Sequence, residues 1–203
     1  MIFDLTEIPA RSVYKLLLGV VVPRPIALVT TMDDQGRVNC APFSFFNLMS
    51  SDPPIVALGI GPGEGDANAL KDTWRNLDLA GDFVCNLVDE PMAEKINVCA
   101  FPFPAGTSEL ERSGLTPRSG MKTRAPVVAE SPASLECEVT TTIRLGRASK
   151  LVLGHVTHLH VRDDLVEPTR HHIHGEKLRL IARMHGSGWY ARTSDLFQMA
   201  RLR

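Results

Sequence analysis

The 203-residue chain has only four cysteines, Cys40, Cys85, Cys99 and Cys137, and none of them form a C-x-x-C pair. That spacing excludes a disulfide framework and a zinc ribbon, both of which need closer, patterned cysteines. Reduced thiols in a cytoplasmic protein are the expectation. Charge of one sign is also lacking: 22 Lys and Arg stand against 23 Asp and Glu, a net charge of −1. Such a balance gives no general attraction for nucleic acid or anionic membrane, so any anion site must be local. Long hydrophobic runs are missing too. Leu16 to Val22 is apolar but bracketed by Lys15 and Arg24, whereas a membrane span needs about 20 apolar residues. The opening MIFDLTEIPARS has no basic region followed by an apolar core and does not read as a signal peptide. No internal repeat, low-complexity tract, catalytic triad or paired-carboxylate motif stands out. The glycine-rich Gly59-Ile-Gly-Pro-Gly-Glu-Gly65 fails the G-x-G-x-x-G spacing of a dinucleotide fingerprint. Pro62 also removes a backbone donor that a phosphate cradle would use. It reads as a turn-rich loop.

What is present is an ordinary globular composition, 44% apolar and 22% charged, long enough for one domain over residues 1–203 with its own core. Pro25 to Met32 is apolar and β-branched, Asp33-Asp-Gln-Gly36 follows as a turn, and Val38 to Phe43 resumes. The pattern predicts a β-hairpin. Pro54 to Ile60, Asp82 to Val88, Leu135 to Ile143 and Lys150 to Val161 read as further strands, the last two pairing through Gly146. Helices are expected over Ala67 to Leu79, ended by Gly81, over Pro91 to Val98, around Glu109 and over Glu176 to Met184. Phe101 to Pro132 reads as a long excursion. Some six short strands with helices set irregularly between them predict a β-barrel decorated by helices rather than a doubly wound parallel sheet.

Two segments carry candidate chemistry. In Asn39-Cys-Ala-Pro-Phe-Ser-Phe-Phe-Asn47, Asn39, Ser44 and Asn47 interrupt a stretch otherwise fit for a core. Ala41 and Ser44 are small enough for a flat ring to approach, and Phe43, Phe45 and Phe46 supply apolar walls. Small-cofactor sites combine such walls with a few placed polar groups; an ordinary strand-to-loop core segment has the same composition. In Leu70-Lys-Asp-Thr-Trp-Arg-Asn76, Lys71, Thr73 and Arg75 fall at a helix start, where cations, a hydroxyl and free amides suit a phosphate. A solvated amphipathic face would look alike.

Several ordered blocks narrow these choices. Arg24-Pro-Ile-Ala-Leu-Val-Thr-Thr31, Asn39-x-Ala-Pro-Phe-Ser-Phe-Phe-Asn47 and Lys71-Asp-Thr-x-Arg-Asn76 come first, followed by Phe83-Val-x-Asn-Leu87, Ser131-Pro-x-x-Leu-Glu-Cys137 and Trp189-Tyr190-x-Arg192. Taken together, from about Tyr14 to Phe197, the chain resembles the flavin-reductase-like proteins. The resemblance implies a mainly β, FMN-binding split β-barrel, a Greek-key-like antiparallel barrel with inserted helices, and a homodimer with flavin sites near the subunit interface. That family includes NAD(P)H:flavin oxidoreductases and flavoredoxin-like electron carriers. By the resemblance, Ile26, Ala27, Leu28, Val29, Thr30 and Thr31 line one side of the flavin with backbone groups. Asn39, Ala41, Pro42, Phe43, Ser44, Phe45 and Phe46 approach the ring and ribityl chain. Lys71 and Thr73 hold the phosphate with help from Asn76, and Tyr190 and Arg192 reach the site from the C-terminal segment.

The implied activity is hydride transfer from NADH or NADPH to flavin, with electrons passed on to a partner monooxygenase or another acceptor. The alternative is an FMN-binding carrier or sensor without NAD(P)H turnover. The cofactor does the chemistry in either case, and no catalytic side chain is required. All seven histidines lie between His155 and His185. On a regular strand His158 and His160 share a face and His155 points the other way, so this first cluster does not assemble three ligands by itself. His171, His172 and His174 fall in an expected loop that could bind a metal or belong to a solvated turn. Since neither cluster has a zinc-site spacing, no metal is expected. Cys40, inside the flavin block, reads as a small buried hydrophobe.

Overall fold

The computed structural model describes residues 1–62, 71–104 and 107–201. In chain order the elements are α1 (Ala10–Val20), β1 (Arg24–Pro25), β2 (Ala27–Met32), β3 (Val38–Phe43), β4 (Phe46–Ser51), β5 (Pro54–Ile60), α2 (Asp72–Ala80), β6 (Asp82–Leu87), α3 (Ala93–Cys99) and α4 (Glu109–Ser113). They continue as β7 (Pro117–Arg118), β8 (Val127–Val128), β9 (Ala133–Arg144), β10 (Lys150–Val161), β11 (Val166–Glu167), β12 (His172–Ile173), β13 (Ile181–Arg183) and β14 (Tyr190–Arg192).

Seven strands form one antiparallel sheet in the order β3-β2-β6-β9-β10-β5-β4. Its curvature follows from connectivity. Laid flat, six gaps of about 4.8 Å would put the edge strands roughly 29 Å apart. Yet the edges β3 and β4 are joined by Ser44 and Phe45 alone, a link that spans at most about 11 Å. The sheet must therefore roll until its edges meet. No ladder joins β3 to β4, and the result is a split barrel.

Strand β2 explains its own composition. Ala27 and Val29 pack into the barrel interior with Val56, Leu58, Phe83 and Val152. Leu28, on the opposite face, packs with Cys40, Met92, Ile96 and Leu110 under α3 and α4. A strand buried on both faces reads as a continuous apolar run instead of alternating. Trp74 and Leu77 of α2 join the interior cluster, so this helix plugs the barrel. Gly81 ends it with φ 71°, the left-handed conformation that glycine adopts without a Cβ penalty.

The hairpin, the strands from Pro54, Asp82, Leu135 and Lys150, and the helix around Glu109 stand where the sequence places them. The expected helix start over 67–70 lies outside the described residues. Three differences have physical reasons. Glu176 to Met184 is not a helix: Gly175–Lys177 makes one 3-10 turn, and Ile181–Arg183 becomes β13, pairing with β1 and β14. Tertiary pairing overrides its helical propensity. The chain after Phe45 is β4, because β5 offers it a free edge. His155 does not oppose His158 and His160. A bulge at Thr157 shifts the register, so the three histidines pair with Glu138, Glu136 and Ser134, alternate residues of β9 on one face. Among the described residues no group of His, Cys, Asp and Glu is placed to hold a metal.

Candidate functional site

A cleft of about 570 Å³ opens where β3, the start of α2, the end of α3 and the C-terminal hairpin meet, within the range usual for small-molecule sites. Residues distant in sequence line it: Ile26, Asn39, Ala41, Pro42, Phe43 and Ser44 from the β1–β3 region, Lys71 and Thr73 from α2, and Tyr190 from β14. Nine of the sequence-derived candidates thus converge on one cavity.

At one end sits the start of α2. Lys71 occupies the N-cap position and gives no side-chain cap to the helix. A cation there opposes the helix dipole and cannot accept the first amides, as Ser or Asp would. What suits such an end is an anion. Thr73 is buried, and its hydroxyl oxygen accepts a bond from Asn39 Nδ2 at 2.9 Å. The Thr73 proton is thereby left to be donated. Lys71 Nζ lies 5.3 Å from the centre of the Phe43 ring, so strand and helix are tied across the cleft.

A clamp at the other end of α2 fixes its position. The fully buried Lys150 bonds Asp78 Oδ1 at 2.7 Å and lies 4.6 Å from the centre of the Trp74 ring. Trp74 Nε1 donates to the other oxygen of the same carboxylate at 2.8 Å.

The remaining candidates lie elsewhere. Ala27, Leu28, Val29, Thr30 and Thr31 are fully buried, and the backbone from Ala27 to Thr30 is paired on both sides, with β3 and β6. Thr30 donates to Pro126 O at 2.5 Å. Asn76 is buried and donates to Thr31 Oγ1 at 3.1 Å, joining α2 to the barrel. Phe45 is exposed at the β3–β4 turn, and Phe46 packs on the barrel interior. Arg192 is exposed and pairs with Glu90. Cys40 is wholly buried, and burial raises its thiol well above the ordinary range, as fits a core residue.

Residues without a local sequence signal complete the walls: Tyr14 from α1, Glu109 from α4, Arg183 from β13 and the Asn97–Phe103 stretch. Half-buried Glu109 accepts the Cys40 amide at 3.1 Å. Burial raises its carboxyl above the usual range, and nearby Asp72 pushes the same way, against the backbone donors. No spacing in the chain announces these four, because each arrives by a different fold contact.

Comparison with known proteins agrees with this architecture. An uncharacterized protein of Deinococcus radiodurans is 40% identical over 205 residues, covering 98% of this chain and 89% of that protein. The crystal structure of nitrilotriacetate monooxygenase component B from Bacillus cereus superposes with a TM-score of 0.91 at 33% identity, covering 98% of each chain. That of Pseudomonas fluorescens 2-nitrobenzoate 2-nitroreductase gives a TM-score of 0.90 at 28% identity, covering 100% of this chain and 96% of the other. The flavin reductase like domain profile matches residues 19–178, from the end of α1 through β12, and the chain belongs to that family of flavin-linked oxidoreductases.

Proposed function

We propose that this protein is an FMN-dependent reductase that takes hydride from NADH or NADPH and passes electrons to a partner monooxygenase or another acceptor. The observation that carries the reading is the convergence of the β3 block and the start of α2 on one cleft. The donor set fits FMN. An ammonium and a helix start without a side-chain cap suit a phosphate, while Ile26, Pro42 and Phe43 supply walls for a flat ring.

When bound, FMN supplies the two-electron redox centre. The chain's part is binding and orientation. Lys71 and the amides of Asp72 and Thr73 hold the phosphate, and Asn39 fixes the Thr73 hydroxyl so that its proton points away from the amide. Ala41 leaves space for the ring edge. The Ser44 hydroxyl, itself accepting from Arg24 Nε at 3.4 Å, donates to a polar edge of the ligand. Ile26 and Phe43 exclude water from that face.

The name of the Bacillus cereus relative, component B of a monooxygenase, supports a partner oxygenase. A homodimer is supported by exposed apolar side chains on β4 and α1. The outer edge of β4 exposes Leu48 and Met49, and α1, which buries none of its residues, exposes Leu17 and Val20 beside the cleft-lining Tyr14. Four free, buried cysteines accord with a reducing cytoplasm, and no helix among the described residues is long and apolar enough to cross a membrane.

The test is a spectrum. The purified protein should bind FMN and turn yellow, and NADH or NADPH should bleach it under anaerobic conditions. A protein that remains colourless with added FMN refutes the reading; bleaching by dithionite alone makes it a carrier. Replacing Lys71 and Thr73 together by Ala should weaken FMN binding at least tenfold, about 1.4 kcal/mol, and leave riboflavin binding unchanged. An equal loss for riboflavin would remove the phosphate assignment.

A further inference from the structure

Asn39, at the start of β3, bonds Thr73 of α2, whereas Ser44, just past its end, bonds Arg24, and around Arg24 the cleft has a charge pattern that flavin phosphate binding leaves unused. In the three-stranded sheet β1-β13-β14, Arg24 stands directly opposite Arg183, and Arg183 opposite Tyr190. Like charges facing each other across an antiparallel pair are unfavourable. Neither arginine forms an ion pair with a carboxylate among the described residues. Arg24 is 6% exposed and spends its donors on neutral groups: Leu18 O at 3.2 Å, Val21 O at 2.7 Å, Met184 O at 2.9 Å and Ser44 Oγ. Its burial and the nearness of Arg183 both lower its pKa.

Arg183 is held open to the cleft. Its guanidinium lies 4.8 Å from the centre of the Tyr190 ring, and Nη1 and Nη2 donate to Trp189 O at 3.1 Å and Gly186 O at 3.3 Å. These anchors use one hydrogen of each terminal nitrogen, so further N–H donors remain. Arg183 lines the cleft with Tyr14, Ser44, Gly188 and Tyr190, a group holding a guanidinium and three hydroxyls. The carboxylates lining the cleft, Asp72 and Glu109, come from α2 and α4 at the other end.

We infer that Arg183, backed by Arg24, forms a second anion subsite in this cleft, which takes the carboxylate or phosphate group of the substrate that exchanges electrons with the flavin. An anion there relieves the Arg24–Arg183 repulsion and meets a guanidinium already fixed by its stack on Tyr190. Charge-assisted bonds of this kind are the stronger class. The site therefore selects acidic second substrates: an aromatic acid through its carboxylate, or a nicotinamide dinucleotide through its phosphates.

The inference rests on the flavin reading, and the test separates the two. FMN-loaded protein is titrated with NAD+ and, separately, with benzoate, and binding is followed by the visible difference spectrum of the flavin. The Arg183→Gln variant should bind FMN as the wild type does. It should bind at least one of the two probes about tenfold more weakly, with Arg183→Lys intermediate. Loss for NAD+ alone assigns the subsite to the dinucleotide phosphates, and loss for benzoate alone to a carboxylate. Wild-type affinity for both probes in Arg183→Gln, or no binding of either by the wild type, overturns the subsite and leaves the flavin reading standing. Failure to bind FMN at all removes both.

Discussion

Glu136 has no exposed side-chain surface, yet its carboxylate is fully matched. It accepts from the amides of Met121, Lys122 and Thr123 at 2.7–2.8 Å and from the Thr123 hydroxyl at 2.9 Å, and its other contact is His160 Nε2 at 2.5 Å. Burial alone would raise its pKa. The amides and His160 together outweigh burial and hold it well below the usual carboxylate range. A depressed folded-state value means stability that is fully present above the unfolded pKa, near 4.3, and is lost as pH falls toward the folded one. Glu136→Gln should therefore cost about 1–3 kcal/mol at pH 7, by turning an amide group against amide donors. In urea melts, the gap between wild type and variant should narrow as pH drops below about 4. Equal midpoints at pH 7 would remove this role. The alternation of Leu135-Glu-Cys137 suggests a strand with Glu136 facing water. That it faces the 121–123 loop is invisible locally, because the loop belongs to a different stretch of chain.

At the scale of elements, β6, β9 and β10 depend on one close approach. A Cβ on Gly154 would fall 2.5 Å from Phe83 Cζ and 3.2 Å from Cys137 Cβ. Phe83 is fully buried among Leu58, Cys85 and Val152, so it has no vacant space to enter. Gly154→Ala should destabilise the protein by about 1–3 kcal/mol through overpacking, read as a lower urea midpoint with unchanged slope. A midpoint within error of wild type would show that Phe83 repacks freely. The strands themselves were legible from their period-two patterns and turn residues, as at Asp33-Asp-Gln-Gly36 and Gly146. The segment Glu176–Met184 was not, since its helix formers yield to the ladder offered by β1 and β14. Nor was α1, a helix with none of its residues buried.

At the scale of the molecule, two elements expose pairs of large apolar side chains. Leu48 and Met49, 59% and 56% exposed, lie on β4, the last strand of the hydrogen-bonded ladder, and Leu17 and Val20 are exposed on α1. An exposed edge strand of this kind invites pairing. In the proposed homodimer this surface is covered, so the protein should sediment as a dimer. Leu48→Asp combined with Met49→Asp should convert it to a monomer with an unchanged circular dichroism spectrum. A wild-type monomer at micromolar concentration would overturn the proposal.

The β3 block and the Lys71-Asp-Thr73 segment were readable from sequence because each keeps its chemistry within a few residues. The sequence by itself thus determined six of the seven strands of the large sheet, the family and the two halves of the cleft, since hydrophobic period and local motif are written in neighbouring positions. Tertiary structure alone decided which candidates share the cleft and which, such as Val29, Asn76 and Arg192, are spent on the core or on partners elsewhere. It also set Arg183 opposite Arg24, 159 positions away by number. The physical reason is closure. A sheet forced to roll by the two-residue link from β3 to β4 brings together residues whose separation along the chain carries no trace of their distance in space.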